Sequence, residues 1–184
     1  MTQLTDLPND LPIQIDDGKC NHLKDIELPN ITLHSTSENE INLSKLKGLS
    51  VLYFYPMTGR PDINLPDGWN EIPGARGCTP QSCSFRDNHE VLKKLHVKVY
   101  GISTQSTSYQ KEVVERLHLP YEILSDDDFK LTQELNLPTL NVDNMTLIKR
   151  ITLICEDSKI IKVFYPVFPP HKNVVEVIKW IEKN

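Results

Sequence analysis

The sequence predicts an α/β domain with helices on both faces of one central sheet. The first observation is residues 50–55 (SVLYFY), an unbroken apolar and aromatic run of the kind a strand covered on both sides shows. The second is that residues 97–102 (VKVYGI) and 151–155 (ITLIC) repeat the pattern. The third is that residues 80–95, 109–117, 127–135 and 173–183 carry apolar side chains three or four positions apart, the spacing of a helix with one buried face. Strands and helices in alternation form layers around a single sheet.

Taken in order, residues 1–25 are polar, contain Pro8 and Pro12 and show no sustained period. They read as an N-terminal extension, laid over the domain or partly mobile. Residues 26–184 then form one domain. Short strand signals at 25–28, 31–33 and 40–43, with a polar connector at 35–39, predict an N-terminal hairpin. Residues 44–46 suit a single helical turn. Residues 160–165 (IIKVFY) follow a turn at 156–159 and are expected to pair with 151–155. PVFPPHKN, with Pro166, Pro169 and Pro170, reads as a shaped turn before the last helix. There is no internal repeat.

Composition narrows the function classes. The 184 residues are 39% hydrophobic and 24% charged, which suits a folded domain and not a disordered chain. A net charge of -5 with scattered basic residues argues against nucleic acid or a membrane surface as partner. No apolar stretch nears the roughly 20 residues needed to span a bilayer. The N-terminus lacks the basic and apolar regions of a signal peptide, so the cytoplasm is the expected location. Four cysteines there are expected to be buried, catalytic or metal-binding rather than a disulfide framework.

One segment breaks the rhythm. Residues 57–77 hold four of the seven glycines and three of the thirteen prolines, and run from the SVLYFY strand to the next helix. Loops of that length inside a domain are uncommon and usually functional. This one ends in GARGCTPQSCSFRD, which sets Cys78 just before or within the first turn of a helix, with Thr79 suited to the N-cap and Pro80 to the first helical position. The unpartnered N–H groups of a helix start favour an anion, and a thiolate is the reactive form of cysteine. Free cysteines are most often small buried hydrophobes, a reading with weight for Cys83 alone. A glycine-rich junction of loop and helix is not ordinary core, so Cys78 is the candidate nucleophile.

These residues resemble the peroxiredoxins, closest to the Q-type or bacterioferritin-comigratory-protein branch. VLYFYP followed by GCTPQSCSFRD is similar to that branch's active-site region, and IELPNITLHSTSENEINLSKLKG to its opening hairpin. VYGISTQSTSYQKEVVERL, YEILSDDDFKLTQELNL and KRITLICEDSKI resemble later segments, so the likeness runs over about residues 26–184. It implies a thioredoxin-like fold, a central mixed sheet flanked by helices, and reduction of hydrogen peroxide or organic hydroperoxides without metal or other cofactor. Cys78 would be the peroxidatic cysteine and Cys83 the resolving one. Thioredoxin or a similar dithiol would reduce their disulfide, and the protein would be a monomer or weak homodimer. Five helical residues rise about 7.5 Å and set the two Cα atoms nearly 9 Å apart, against roughly 4.4–6.8 Å in a disulfide. The first helical turn would have to unwind in each cycle.

Arg150, at the head of ITLIC, matches the family's catalytic arginine, whose guanidinium would stabilise the thiolate and hydrogen-bond the peroxide. Of the other arginines near the cysteines, Arg86 suits an ion pair on the helix and Arg76 solvent exposure. The chain departs from the family's P-x-x-x-T-x-x-C pattern. Ala75 stands where a hydroxyl residue is usual, and Pro56 lies 22 residues before Cys78, so 57–77 reads as an inserted active-site loop. Either Thr58 or Thr79 could return the hydroxyl. Cys155 reads as core, Cys20 as part of the extension. Two other classes compete: a disulfide oxidoreductase without peroxide chemistry, which usually carries C-x-x-C, and a copper carrier using Cys78, Cys83 and His89.

Overall fold

The SVLYFY run lies at the centre of the molecule, where its lack of a polar face requires it to be. The computed structural model describes residues 7–8 and 10–184. The first six residues and Asn9 of the expected extension lie outside the described residues. In chain order the strands are β1 (Thr32–Ser35), β2 (Glu40–Asn42), β3 (Leu49–Phe54), β4 (Lys98–Ser103), β5 (Glu122–Ser125), β6 (Thr139–Val142), β7 (Met145–Ile148), β8 (Ile151–Glu156) and β9 (Lys159–Phe164). The helices are α1 (Cys78–Asp87), α2 (His89–Lys94), α3 (Thr107–Leu117), α4 (Lys130–Glu134) and α5 (Asn173–Ile181). Seven strands form one mixed sheet in the order β2-β1-β5-β4-β3-β8-β9, and β6 and β7 form a separate hairpin.

β3 pairs parallel with β4 and antiparallel with β8, so both its edges are covered. Its side chains alternate between two apolar layers. Leu52 and Phe54 enter the layer with Leu23, Leu33, Leu43, Leu131 and Ile148. Val51, Tyr53 and Tyr55 enter the other, with Phe85, Leu92, Val113, Val174 and Val177 from α1, α2, α3 and α5. Each fully buried aliphatic side chain of this kind contributes roughly 1.5–3 kcal/mol. The expected α/β architecture is the observed one, and it is thioredoxin-like.

Several boundaries differ from those read in the sequence. Residues 25–28 form only an isolated bridge from Glu27 to Lys159. The helix expected over 80–95 is two, broken at Asn88, whose side-chain amide donates to the Ser84 carbonyl at 2.9 Å and competes with the helical ladder. The helix expected over 127–135 is only the short α4, because the buried Asp126 carboxylate accepts from the Leu131 and Thr132 N–H groups at 2.9 Å and fixes its start. The sequence pattern predicts no strand where β5, β6 and β7 form. The β6–β7 turn carries Asp143 and Asn144 with φ of 46° and 60°, the left-handed pair that a two-residue hairpin turn demands.

The described part of the extension is anchored at several points, although Ile13 and Ile15 are exposed. Cys20 and Leu23 are buried in the core, Asp25 N–H donates to the Ile160 carbonyl at 2.8 Å, and Asp17 binds Lys149 at 3.1 Å and the Tyr165 hydroxyl at 2.8 Å. Burial alone would raise Asp17, but the hydrogen bonds from Tyr165 and Lys149 hold its carboxyl down at about 2. No helix among the described residues is long and apolar enough to cross a membrane.

β4 carries Gly101 at the point where Tyr53 leans across from β3. A Cβ there would stand 2.7 Å from the Tyr53 hydroxyl. Gly101→Ala should therefore displace Tyr53 and cost about 1–3 kcal/mol in urea unfolding. A change within 0.5 kcal/mol would mean that the ring yields freely.

Candidate active site

α1 begins at Cys78 itself. The residue before it, Gly77, is the N-cap with φ of 107°, and its carbonyl accepts from the Gln81 N–H at 3.0 Å. Thr79 is therefore not the N-cap; it lies within the first turn. Only glycine fits at 77, for a Cβ would meet the Pro170 ring at 2.3 Å as well as force a side chain into left-handed backbone. This close approach seats the start of α1 against the turn at Pro170–Lys172, which follows the cis Tyr165–Pro166 and Phe168–Pro169 bonds.

Cys78 is 3% exposed, and its thiol donates to the Ala75 carbonyl at 3.5 Å. Arg150, between β7 and β8, is fully buried and brings Nη2 to 3.3 Å from the Cys78 sulfur. The same Nη2 lies 3.2, 3.3 and 3.1 Å from the carbonyl oxygens of Gly74, Ala75 and Arg76. Its other terminal nitrogen donates to Gln81 Oε1. Taking a guanidinium out of water costs several kcal/mol, and such a set of acceptors is what offsets it.

The arginine is held from behind. Gln81 Nε2 donates to Asn173 Oδ1 at 3.0 Å, and the Thr152 hydroxyl donates to the same oxygen at 2.7 Å. Gln81, Thr152 and Asn173 are buried and were not singled out in the sequence. The available signal was polar residues within otherwise apolar faces: Thr152 in ITLIC, Asn173 heading a Val-rich helix.

Cys83 is half-buried, five residues along α1 from Cys78. Burial pushes its thiol above the ordinary range, partly opposed by the nearby Arg86 guanidinium. The adjacent turn is anchored by two tyrosines: Tyr53 donates to Ser82 Oγ at 3.1 Å, and Tyr121 donates to the Ser82 carbonyl at 2.8 Å. Arg86 pairs with Asp87 at 2.8 Å and donates to the Leu117 carbonyl at 2.9 Å. Arg76, expected in solvent, is 5% exposed, because this end of the loop lies against Leu11 and Pro12 of the extension and Val167, Phe168 and Pro170 of the turn before α5. Thr58 is buried at the loop's start; its hydroxyl donates to Gln105 Oε1 at 3.2 Å, and its carbonyl accepts from Tyr109 at 3.0 Å. Thr79 lines a narrow cleft at Cys78 together with Met57, Gly59, Leu65, Trp69, Arg76 and Gly77. The His89 ring lies 5.9 Å from that of Tyr121. No group of three potential metal ligands occurs among the described residues.

A family model described as Redoxin matches residues 24–178. The chloroplastic peroxiredoxin Q of Sedum lineare is 31% identical over 156 residues, which cover 84% of this chain and 75% of that protein. The chain belongs to the redoxin family, in its peroxiredoxin Q branch. Chloroplastic peroxiredoxin Q of Triticum aestivum is 33% identical over 156 residues, 84% of this peroxiredoxin and 64% of the wheat protein, so the chain spans under two thirds of that relative. Among solved structures, peroxidoxin BcpB of Mycobacterium tuberculosis superposes with a TM-score of 0.70 at 21% identity, covering 87% of this chain and 96% of that one. The bacterioferritin comigratory protein of Xanthomonas campestris, described for its alkyl peroxide reduction activity, gives 0.67 at 15% identity, covering 95% and 98%. These two likenesses concern the fold.

The remaining cysteines of this peroxiredoxin lie in the core. Burial pushes Cys20 and Cys155 each to about 12. The folded state thus keeps protons that the unfolded chain releases near pH 8.5. Their stabilising share is complete below that pH and is lost as the pH rises towards 12. The cost of Cys155→Ala, measured by denaturant unfolding, should fall by up to about 1.4 kcal/mol per pH unit between pH 9 and 10.5. A cost independent of pH would show that the Cys155 thiol is not buried as described.

Proposed function

We propose that the protein is a thiol peroxidase that reduces hydrogen peroxide or organic hydroperoxides and is recycled by thioredoxin or a similar dithiol. The observation that carries this reading is the Arg150 guanidinium 3.3 Å from a cysteine sulfur at the first position of a helix. A guanidinium and a helix start both favour the thiolate and the charge that develops on a peroxide oxygen during attack.

The thiolate of Cys78 attacks one peroxide oxygen, the O–O bond breaks, and the leaving oxygen takes a proton to depart as water or alcohol. Cys78 becomes a sulfenic acid, oxidised by two electrons. The Cys83 thiol condenses with it, releasing water and forming a disulfide. A donor dithiol then takes over the disulfide by exchange and restores both thiols. Condensation requires the first turn of α1 to open, which frees Cys78 from Arg150 while the tyrosines hold Ser82. The hydroxyl facing the peroxide falls to Thr79, which lines the cleft; Thr58, engaged with Gln105, fixes the start of the loop. Residues 57–77 are the inserted segment of this active site, and a thiol-reducing compartment such as the cytoplasm suits the cycle.

Two sets of variants test this. Cys78→Ser should abolish peroxide-dependent oxidation of thioredoxin. Cys83→Ser should still consume one equivalent of peroxide yet lose at least tenfold in steady-state turnover. Full turnover in Cys78→Ser would sink the assignment. Separately, Thr79→Val should slow oxidation of Cys78 by hydrogen peroxide about tenfold, the worth of one hydrogen bond. Stopped-flow rates equal to those of the parent protein would remove Thr79 from the site.

A further inference from the structure

Residues 57–77 wall the cleft at Cys78, and their packing shows how firmly. At the near end Arg116 Nη2 donates to the Gly59 carbonyl at 3.0 Å, and Tyr109 and Gln105 hold Thr58. At the far end Arg150 binds the carbonyls of residues 74–76. Between them Trp69, in the short 3-10 helix Trp69–Glu71, is 4% exposed and packs with Ala75 and Leu147. Met57, Leu65 and Ile72 from the loop, and Leu140, Val142 and Met145 from the β6–β7 hairpin, complete this third apolar cluster. The segment is thus tied at both ends and has a core of its own.

Three of its apolar side chains, Met57, Leu65 and Trp69, also face the cleft that holds Cys78 and Thr79. That cleft is narrow at its base, with room for about one water beside the thiol, and is open to solvent on its outer side. Hydrogen peroxide is only one oxygen larger than water. The aryl or alkyl body of an organic hydroperoxide seated at Cys78 has to pass out between the walls of the cleft, among them Leu65 and Trp69, and Trp69 is fixed by its cluster.

We propose that residues 57–77 restrict this site to small peroxides, with Leu65 and Trp69 setting the limit. The inference rests on the thiol peroxidase reading and deepens it. Cys78 of the parent protein should react with hydrogen peroxide at least tenfold faster than with cumene hydroperoxide. Leu65 is half-buried at the rim, so its size sets the opening without removing the centre of the cluster.

The test is the ratio of two second-order rate constants, cumene hydroperoxide over hydrogen peroxide, read by quenched-flow labelling of the remaining Cys78 thiol. Leu65→Ala should raise that ratio at least fivefold and Leu65→Phe should lower it; circular dichroism checks the fold of each. Trp69→Ala, if it folds, should raise the ratio further. Cumene hydroperoxide reacting as fast as hydrogen peroxide in the parent protein overturns the size limit, and so does a ratio within twofold of parent in both Leu65 variants. In either case rapid oxidation by hydrogen peroxide leaves the peroxidase reading standing. If neither peroxide oxidises Cys78, the peroxidase reading falls, and the size limit with it.

Discussion

The buried guanidinium of Arg150 is the interaction on which the rest of the site depends. A full positive charge with no access to water is tolerable only where acceptors converge, and here they come from three sources: the loop carbonyls of residues 74–76, the side chain of Gln81 and the sulfur of Cys78. Each source is thereby located. The end of the long loop is drawn inward, α1 is oriented by its fourth residue, and the thiol is set beside the charge. Asn173 and Thr152 extend the same set of bonds to α5 and β8.

This arrangement bears on the proposed cycle, in which the helix start would open. The fixed parts are backbone carbonyls, two tyrosines on Ser82 and a glycine pressed against Pro170. The part that would move is short, running from Cys78 to about Gln81. Its opening trades the contacts of Cys78 and Gln81 with Arg150, while the carbonyls of residues 74–76 can still face the charge. Nη2 would keep the carbonyls when the thiol departs, whereas Nη1 would lose Gln81, so the opened form would need water or another acceptor there.

The layers were legible because they rest on periodicity. SVLYFY has no polar face, so it could only be central, and the helices around it announced themselves by spacing. The weaker elements were hidden by competition. Asp126 and Asn88 stop or break helices through their side chains, against the apolar pattern around them. β6 and β7 are short and rich in Thr and Asn, although the Asp143–Asn144 turn between them was a usable sign. At the site, Cys78 and Arg150, which lie 3.3 Å apart, could be picked out by position and by family resemblance. Gln81, Asn173 and Tyr121 could not, for their roles arise from contacts across 92, 21 and 39 residues of sequence. Arg76 was misplaced for the same reason: nothing local says that the extension and the turn before α5 close over it.

The distance between Cys78 and its partners along the chain also sets an order of events during synthesis. Arg150 follows Cys78 by 72 residues, and Asn173, which steadies Gln81 behind it, comes later still. At about 5–20 residues per second, the chain from Cys78 to Asn173 takes roughly 5–20 s to emerge. Through that interval the cysteine is an ordinary one on an incomplete chain, with no buried cation beside it and no seat at Pro170 for Gly77. The charged pocket exists only once β8 has joined β3 and α5 has docked, so the nascent protein does not carry this site before it can enclose it.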